Sequence, residues 1–307
     1  MNTFSVIVPV YNSEHTLKPL TERLVAVFNN LRSEFEIIFV NDCSNDNSLQ
    51  VLKEIRTIFG KNIIIVDLYR NFGQQNALMC GFQFCSGNFV VTIDDDLQNP
   101  PEEIPLLVEK INQGYDAVFG CYEKKKDKFH KNLGSRILRK LNHAIFNVKG
   151  DLRFSSYRII KKDIIDQIKS LRTPYPYISG MILETTSKVT NQIIKHEARQ
   201  HGKSGYSLKK LVNLSFNLLI NYSSIPLKIF GYLGLFVSVI SLIISGVFVI
   251  KQLFLGNAPA GWTSLIVLIS FYNTLILILF FVFGEYIKRI LREISNYRPY
   301  IIKDVIK

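Results

Sequence analysis

Three consecutive aspartates, Asp94, Asp95 and Asp96, stand directly after the apolar run Phe89–Ile93. Like charges this close repel one another, and they are costly to keep beside a buried strand unless a cation or water offsets them. Their hard carboxylate oxygens suit Mg²⁺ or Mn²⁺, ions that commonly hold substrate phosphates as well. The same residues also read as an exposed acidic turn. Asn99, Pro100, Pro101, Glu102 and Glu103 follow with the marks of a helix start, prolines in the first turn and acids near the positive end of the helix dipole. The two readings are compatible.

Three further polar clusters share this setting. Pro9-Val10-Tyr11-Asn12-Ser13-Glu14, Asn41-Asp42-Cys43-Ser44-Asn45-Asp46 and Tyr69-Arg70-Asn71-Phe72-Gly73 each follow a short β-branched run, as Asp94-Asp95-Asp96-Leu97-Gln98 does. Any one alone reads as solvated loop; together they fall at one edge of a sheet, where ligands of open α/β sheets bind. Two nucleotide motifs are missing. No GxGxxG follows the first strand, and Gly202-Lys203-Ser204 imitates the end of a P-loop but has Glu197 where the first glycine belongs. The cysteines Cys43, Cys80, Cys85 and Cys121 form no CxxC pair and no cluster with histidine, which argues against a disulfide framework or structural zinc and fits a reducing compartment.

The elements that must position these clusters are legible. Strands are expected at Ser5–Val10, Glu36–Val40, Asn62–Asp67 and Phe89–Ile93, with helices near Thr16–Leu31, Ser48–Ile58 and Gln75–Cys85. This alternation predicts an α/β fold with a mostly parallel, Rossmann-like sheet, its strands covered on both faces. With 48% hydrophobic residues, the 307-residue chain is neither disordered nor collagen-like.

The apolar residues concentrate late in the chain. No charge interrupts Ile229–Ile250, and a second uncharged stretch is densest from Trp262 to Phe283. About 20 such residues cross a hydrocarbon core, so a two-helix transmembrane hairpin is expected. The flanks Lys228, Lys288, Arg289 and Arg292 are basic, placing both chain ends in the cytoplasm of a plasma (inner) membrane protein. The expected organisation is a cytosolic domain over 1–206, an interfacial amphipathic helix over 207–228, the hairpin over 229–284 (spans near 229–250 and 262–283) and a basic tail over 285–307. The N-terminus MNTFSVIVPVYN lacks a basic region ahead of a long apolar run, so no signal peptide is expected. The net charge of +12 gathers partly at 121–140 and 195–210. Those basic stretches suit an anionic membrane surface or a phosphorylated acceptor; because they flank an apolar segment, nucleic acid is a poor fit.

VPVYNSE, VNDCSNDNS, RNFGQQNALMCGF and IDDDLQNPPEEIP resemble the successive motifs of inverting family-2 glycosyltransferases. More narrowly, they are similar to the polyisoprenyl-phosphate group that includes dolichol-phosphate mannosyltransferase and bacterial undecaprenyl-phosphate glucosyltransferases. The resemblance implies a glycosyltransferase A-type fold with a nucleotide-sugar cleft. It implies that Pro9, Tyr11, Asn12 and Glu14 line the nucleotide pocket, that Asp42 bonds the base or ribose, and that Arg70 faces the base or diphosphate. It makes Asp94 and Asp96 the DxD pair, with Asp95 against the nucleotide and Asp94, Asp96 and Gln98 around Mg²⁺ or Mn²⁺. Asp94, Asp96 and Arg158 would be the catalytic residues. Lys131, Ser135, Arg136, Arg199 and Lys203 would hold the acceptor phosphate, and relatives suggest a homotetramer. The chain departs from the pattern in two places. Gly120-Cys121-Tyr122 stands where relatives carry Gly-Ser-Arg just after the fifth strand, and Ser156-Tyr157-Arg158 replaces Asp-Phe-Arg, removing a carboxylate.

These features lead to an expected metal-dependent, membrane-bound hexosyltransferase. It would move a sugar from a nucleotide diphosphate, expected to be uridine-linked, to undecaprenyl phosphate for cell-surface glycan modification such as that of lipopolysaccharide. Alternatives are a non-catalytic nucleotide-sugar-binding membrane scaffold, suggested by Ser156, or transfer to another lipid. A processive polysaccharide synthase is disfavoured because the lone tryptophan, Trp262, lies in no QxxRW motif.

Overall fold

The structure, a computed structural model, describes residues 2–122, 145–146, 152–171, 173, 175–195, 197, 261–294 and 299–307. It also describes Ile229, Tyr232, Leu233, Phe236, Val239, Ile240 and Ile243. Two compact units form, Met1–Ser207 with Tyr297–Lys307, and Leu208–Asn296.

The first unit holds an eight-stranded sheet: β1 (Thr3–Val10), β2 (Glu34–Asn41), β3 (Ile63–Leu68), β4 (Phe89–Thr92), β5 (Ala117–Tyr122), β6 (Arg158–Lys161), β7 (Val189–Ile194) and β8 (Ile302–Ile306). Their order is β7-β5-β6-β4-β1-β2-β3-β8. β1 pairs parallel with β2 and β4, β2 with β3, and β5 with β7, while β6 is antiparallel to β4 and β5, and β8 to β3. Around it lie α1 (Leu17–Asn30), α2 (Ser48–Phe59), α3 (Gln74–Phe82), α4 (Ile104–Ile111), α5 (Lys162–Ser170) and α6 (Ile178–Thr185).

The period of two along each strand divides the core. Val6, Val8 and Val10 of β1 pack with Leu20 and Leu24 of α1, Leu52 of α2 and Ile104 and Leu107 of α4. Ile7, Ile38, Val40 and Val66 pack on the other face with Ala77, Leu78 and Phe82 of α3, Ile165 of α5 and Ile182 of α6. Each fully buried side chain of this size contributes about 1.5–3 kcal/mol, which makes sheet and helices one solid platform.

β1 to β3 step outward on one side of β1, and α3 then carries the chain back to β4 on the other. The switch opens a crevice between β1 and β4. Their pairing ends at Ile7–Thr92, with the Ile93 N–H donating to the Ile7 carbonyl at 3.1 Å. Pro9, two residues further, occupies the next position that faces β4 and has no N–H to extend the ladder. The proline expected in the pocket is therefore buried inside β1, where it ends the pairing and lets the strands part.

Other expectations are adjusted. Gly120, Cys121 and Tyr122 lie within β5 rather than after it. A Cβ at Gly120 would come within 2.6 Å of Ile194 Cδ1 and 3.2 Å of the Tyr157 carbonyl, so a side chain there requires Ile194 to move. Part of the expected tail forms β8. In the second unit, α7 (Trp262–Ile294) runs 33 residues, about 50 Å, and so continues past the expected end of the second span. Its segment Phe271–Lys288 is long and apolar enough to cross a membrane, the one such helix among the described residues. The seven described positions between 229 and 243 are helical; the rest of the first expected span and the 207–228 segment lie outside the described residues.

Candidate functional site

The loops beyond β1, β2 and β4 share an uncommon backbone. Asn12 (φ 54°), Cys43 (φ 56°) and Leu97 (φ 59°) all adopt the left-handed region. For L side chains this costs roughly 1–2 kcal/mol per residue, least for Asn and most visibly for a bulky residue such as Leu. Three of the four non-glycine residues with positive φ among the described residues thus lie at one edge of the sheet, Arg32 before β2 being the fourth, a distribution common at functional sites.

Side chains expected on the nucleotide tie these loops to each other. Asp95 Oδ2 accepts hydrogen bonds from the Tyr11 N–H at 3.1 Å and the Ser13 hydroxyl at 2.5 Å, bridging the crevice. Asn12 donates its N–H to Ser44 Oγ at 3.0 Å and accepts from the Asn45 N–H at 2.7 Å. Glu14 Oε2 accepts from the Asn47 N–H at 2.9 Å, while the Glu14 N–H donates to Asp46 at 3.1 Å. Asp42 is buried, and its two oxygens accept from the N–H groups of Phe72 at 2.7 Å and Gly73 at 2.8 Å. Burial pushes its carboxyl upward against those two bonds. Asn12, Glu14, Asp42 and Asp95 thus shape the loops on the nucleotide side through bonds to the backbones of neighbouring loops. Tyr11 remains exposed at the mouth, and the exposed Arg70 lays its guanidinium over the Phe72 ring at 4.7 Å.

Asp94, Asp95 and Asp96 are half-buried at the end of β4. Asp94 accepts from Gln74 Nε2 at 2.6 Å and from the Ser156 hydroxyl at 2.5 Å. Its carboxyl is raised chiefly by burial, with the neighbouring Asp96 charge adding to the shift. Burial also carries Asp95 up to about 6. Asp96 Oδ1 accepts from the Gln98 N–H at 3.2 Å.

Among the described residues no group of three His, Cys, Asp or Glu side chains encloses an ion. The neighbouring carboxylates of Asp94 and Asp96 at the β1–β4 switch point fit a different arrangement, a hard divalent ion whose remaining ligands come from phosphate oxygens and water.

Arg158, expected among the catalytic groups, is 1% exposed. On β6 opposite Thr92, it donates to Thr92 Oγ1 at 3.1 Å and to Ser179 Oγ at 2.9 Å. Burial draws its pKa down to about 10, and the nearby Tyr177 and Asp94 oppose the shift. It is a buried cation behind the acidic turn, near enough to Asp94 for the two charges to interact. The expected acceptor residues Lys131, Ser135, Arg136, Arg199 and Lys203 lie outside the described residues.

The structure gives partners to residues that the sequence left without an assigned contact. Ser13, Ser44, Asp46, Gln74 and Ser156 lie within or beside the motifs, and each bonds a neighbouring loop. Arg23 forms a two-sided clamp, bonding Glu102 at 2.6 and 2.9 Å and Glu197 at 2.8 and 3.1 Å. The Glu197 N–H in turn donates to the Gln98 carbonyl at 3.0 Å. The clamp joins α1, the turn beyond the acidic triplet and the segment after β7.

Comparison with known proteins agrees with this fold. A sequence model of the family described as Glycosyl transferase family 2 matches residues 5–169. The chain is 31% identical over 301 residues to an uncharacterized glycosyltransferase of Bacillus subtilis, covering 98% of this chain and 93% of the relative. It is 32% identical over 310 residues to the undecaprenyl-phosphate 4-deoxy-4-formamido-L-arabinose transferase of Proteus mirabilis, covering 100% of this chain and 94% of that protein. The fold is that of the glucosyl-3-phosphoglycerate synthase of Mycobacterium tuberculosis, crystallised with Mn²⁺, uridine diphosphate and glucosyl-3-phosphoglycerate. The TM-score is 0.53 at 20% identity, over 71% of this chain and 78% of that one. With a mostly parallel α/β sheet of this type, strand-end loops meeting across the β1–β4 crevice and relatives that span its whole length, the chain belongs to glycosyl transferase family 2.

Proposed function

We propose that this protein is a membrane-bound inverting glycosyltransferase that moves a sugar from a uridine diphosphate sugar to polyprenyl phosphate. The observation that carries the reading is the union of the loops after β1, β2, β3 and β4 around one crevice, with Asp94 and Asp96 at its mouth. The named activity of the Proteus mirabilis relative supports the acceptor class. The uridine diphosphate and Mn²⁺ held by the Mycobacterium tuberculosis enzyme support the donor and the ion. The apolar segment Phe271–Lys288 supports a membrane position, with the catalytic unit and both termini on the cytoplasmic side.

A phosphate monoester carries about −1.5 to −2 charge near pH 7, so its oxygen attacks without first losing a proton. That removes the need for the general base that a sugar hydroxyl requires, and Ser156 in place of a carboxylate is then no obstacle. The acceptor oxygen bonds to the anomeric carbon as the bond to the diphosphate oxygen breaks on the opposite face, and nucleoside diphosphate leaves. A divalent ion held by Asp94 and Asp96, with Gln98 beside them, would offset charge on the leaving diphosphate. The loops shaped by Asn12, Glu14, Asp42 and Asp95 form the nucleotide side of the crevice, with Tyr11 and Arg70 exposed on it. Lys131, Ser135, Arg136, Arg199 and Lys203 complete the reading as acceptor-phosphate groups, and a homotetramer as its assembly.

The test is a panel of radiolabelled nucleotide sugars offered to purified protein with undecaprenyl phosphate, read by lipid extraction. Labelled lipid should form with one donor and only with divalent metal present. Asp96→Asn should abolish most transfer while the protein stays folded. Tight nucleotide binding without any glycolipid product would favour the non-catalytic reading and overturn this one.

A further inference from the structure

The strand that closes the sheet on the β3 side is synthesised after all the others. β8 pairs antiparallel with β3, setting Val305 opposite Val66 and Asp304 opposite Asp67. The contact runs on into the loop that carries Arg70, because the Tyr69 N–H donates to the Ile301 carbonyl at 3.1 Å. Tyr300, Ile302 and Val305 pack on the core beneath.

Beside this pairing lies a buried carboxylate. The Asp67 side chain is 6% exposed, and Lys303 Nζ reaches its Oδ2 at 3.1 Å. Its Oδ1 accepts from Asn41 Nδ2 at 2.7 Å. Asn41 Oδ1 accepts from the Ser44 N–H at 3.3 Å, and Ser44 Oγ from the Asn12 N–H at 3.0 Å. An unbroken series of polar contacts therefore leads from β8 to the strained loops after β2 and β1. A buried carboxylate is tolerated when an opposite charge and hydrogen bonds compensate it. Lys303 supplies the charge, and Asn41, turned toward Asp67, presents its carbonyl to the Ser44 loop.

We propose that Lys303 and Asp67 are positioning residues, through which β8 sets the nucleotide side of the crevice. The inference rests on the functional reading above and deepens it. With Lys303 removed, the Asp67 carboxylate draws its remaining partners out of place, and the loops holding the donor shift while the acceptor side does not.

The test uses full-length protein in detergent, as wild type, Lys303→Met, Lys303→Arg, Asp67→Asn and the Asp67→Asn/Lys303→Met pair. Binding of uridine diphosphate is measured by calorimetry in Mn²⁺ buffer, and donor and acceptor KM by lipid extraction. Lys303→Met should weaken nucleotide binding and raise donor KM about threefold or more, within the range of coupling through a shared network. Acceptor KM should hold, and Lys303→Arg should restore most of the loss. The double variant should be no worse than the worse single one. Unchanged nucleotide binding and donor KM in Lys303→Met, or an equal rise in both KM values, would overturn the proposal. A wild type that binds uridine diphosphate but glycosylates no lipid phosphate ends the acceptor reading and leaves the binding comparison to decide this one. A wild type that binds no nucleoside diphosphate ends both.

Discussion

Replacing Asp95 by asparagine isolates the electrostatic cost of joining the β1 and β4 loops. The side chain keeps its shape and can still accept from Tyr11 N–H and Ser13 Oγ, which lie 3.1 and 2.5 Å away, but the charge is gone. In the folded protein burial lifts the Asp95 carboxyl from 3.8 to about 6, roughly two units. At about 1.4 kcal/mol per unit the charged form costs about 3 kcal/mol, which partial contact with solvent screens to about 1–2 kcal/mol. The sign follows from proton linkage. The folded state holds this proton more tightly than the unfolded chain, so stability declines as pH rises from about 4 to about 6 and is level above. Asp95→Asn removes that decline. In metal-free buffer at pH 7.5 the variant should therefore melt about 2–8 °C above wild type, and the gap should shrink toward pH 4. Cys80, Cys85 and Cys121 are buried thiols and Cys43 is half-buried, so a thiol-reactive dye reports unfolding as a rise above the Cys43 signal. A gap that ignores pH, or a variant that melts lower throughout, would refute the claim that this bridge is held against a desolvation cost.

Gly87→Ala should be far more damaging, because a Cβ there would meet the backbone of Phe4 and Ser5 at 2.7 Å; a loss of about 2 kcal/mol or more would show as reduced soluble yield and a lowered melting point. Arg23→Ala should cost less than about 1 kcal/mol in thermal melts, since its ion pairs are partly exposed, yet lower transfer by loosening the turn beyond Asp96. Wild-type stability after that change, with undiminished turnover, would show the clamp to be ornamental.

Much of this arrangement is legible in the sequence. The runs around Val6, Ile38, Ile65 and Val91 announce strands because both faces of a covered sheet demand apolar side chains, and the helices between them fall within a few residues of expectation. The acidic triplet and the four loop clusters are equally plain. Long-range partners are not. β6 and β8 reach the sheet from distant parts of the chain, and Arg158–Lys161 is too short to signal a strand by periodicity. The loop-to-loop bonds of Asp42 and Asp95 were hidden for a similar reason. A motif gives the residue type, while the amides that a carboxylate reaches depend on where the next loop lies. Arg158 stands out in the sequence only through the Ser156-Tyr157-Arg158 motif, and its burial against Thr92 and Ser179 has no signal there.

Since β8 follows α7 along the chain, the ribosome delivers the sheet's closing edge only after the 33-residue helix has been made. Until that moment β3 presents a row of unsatisfied amides and carbonyls, a template for any stray strand. Maturation of the catalytic unit is thereby tied to completion of the apolar helix, and chains released early would carry an open edge and a marked tendency to aggregate.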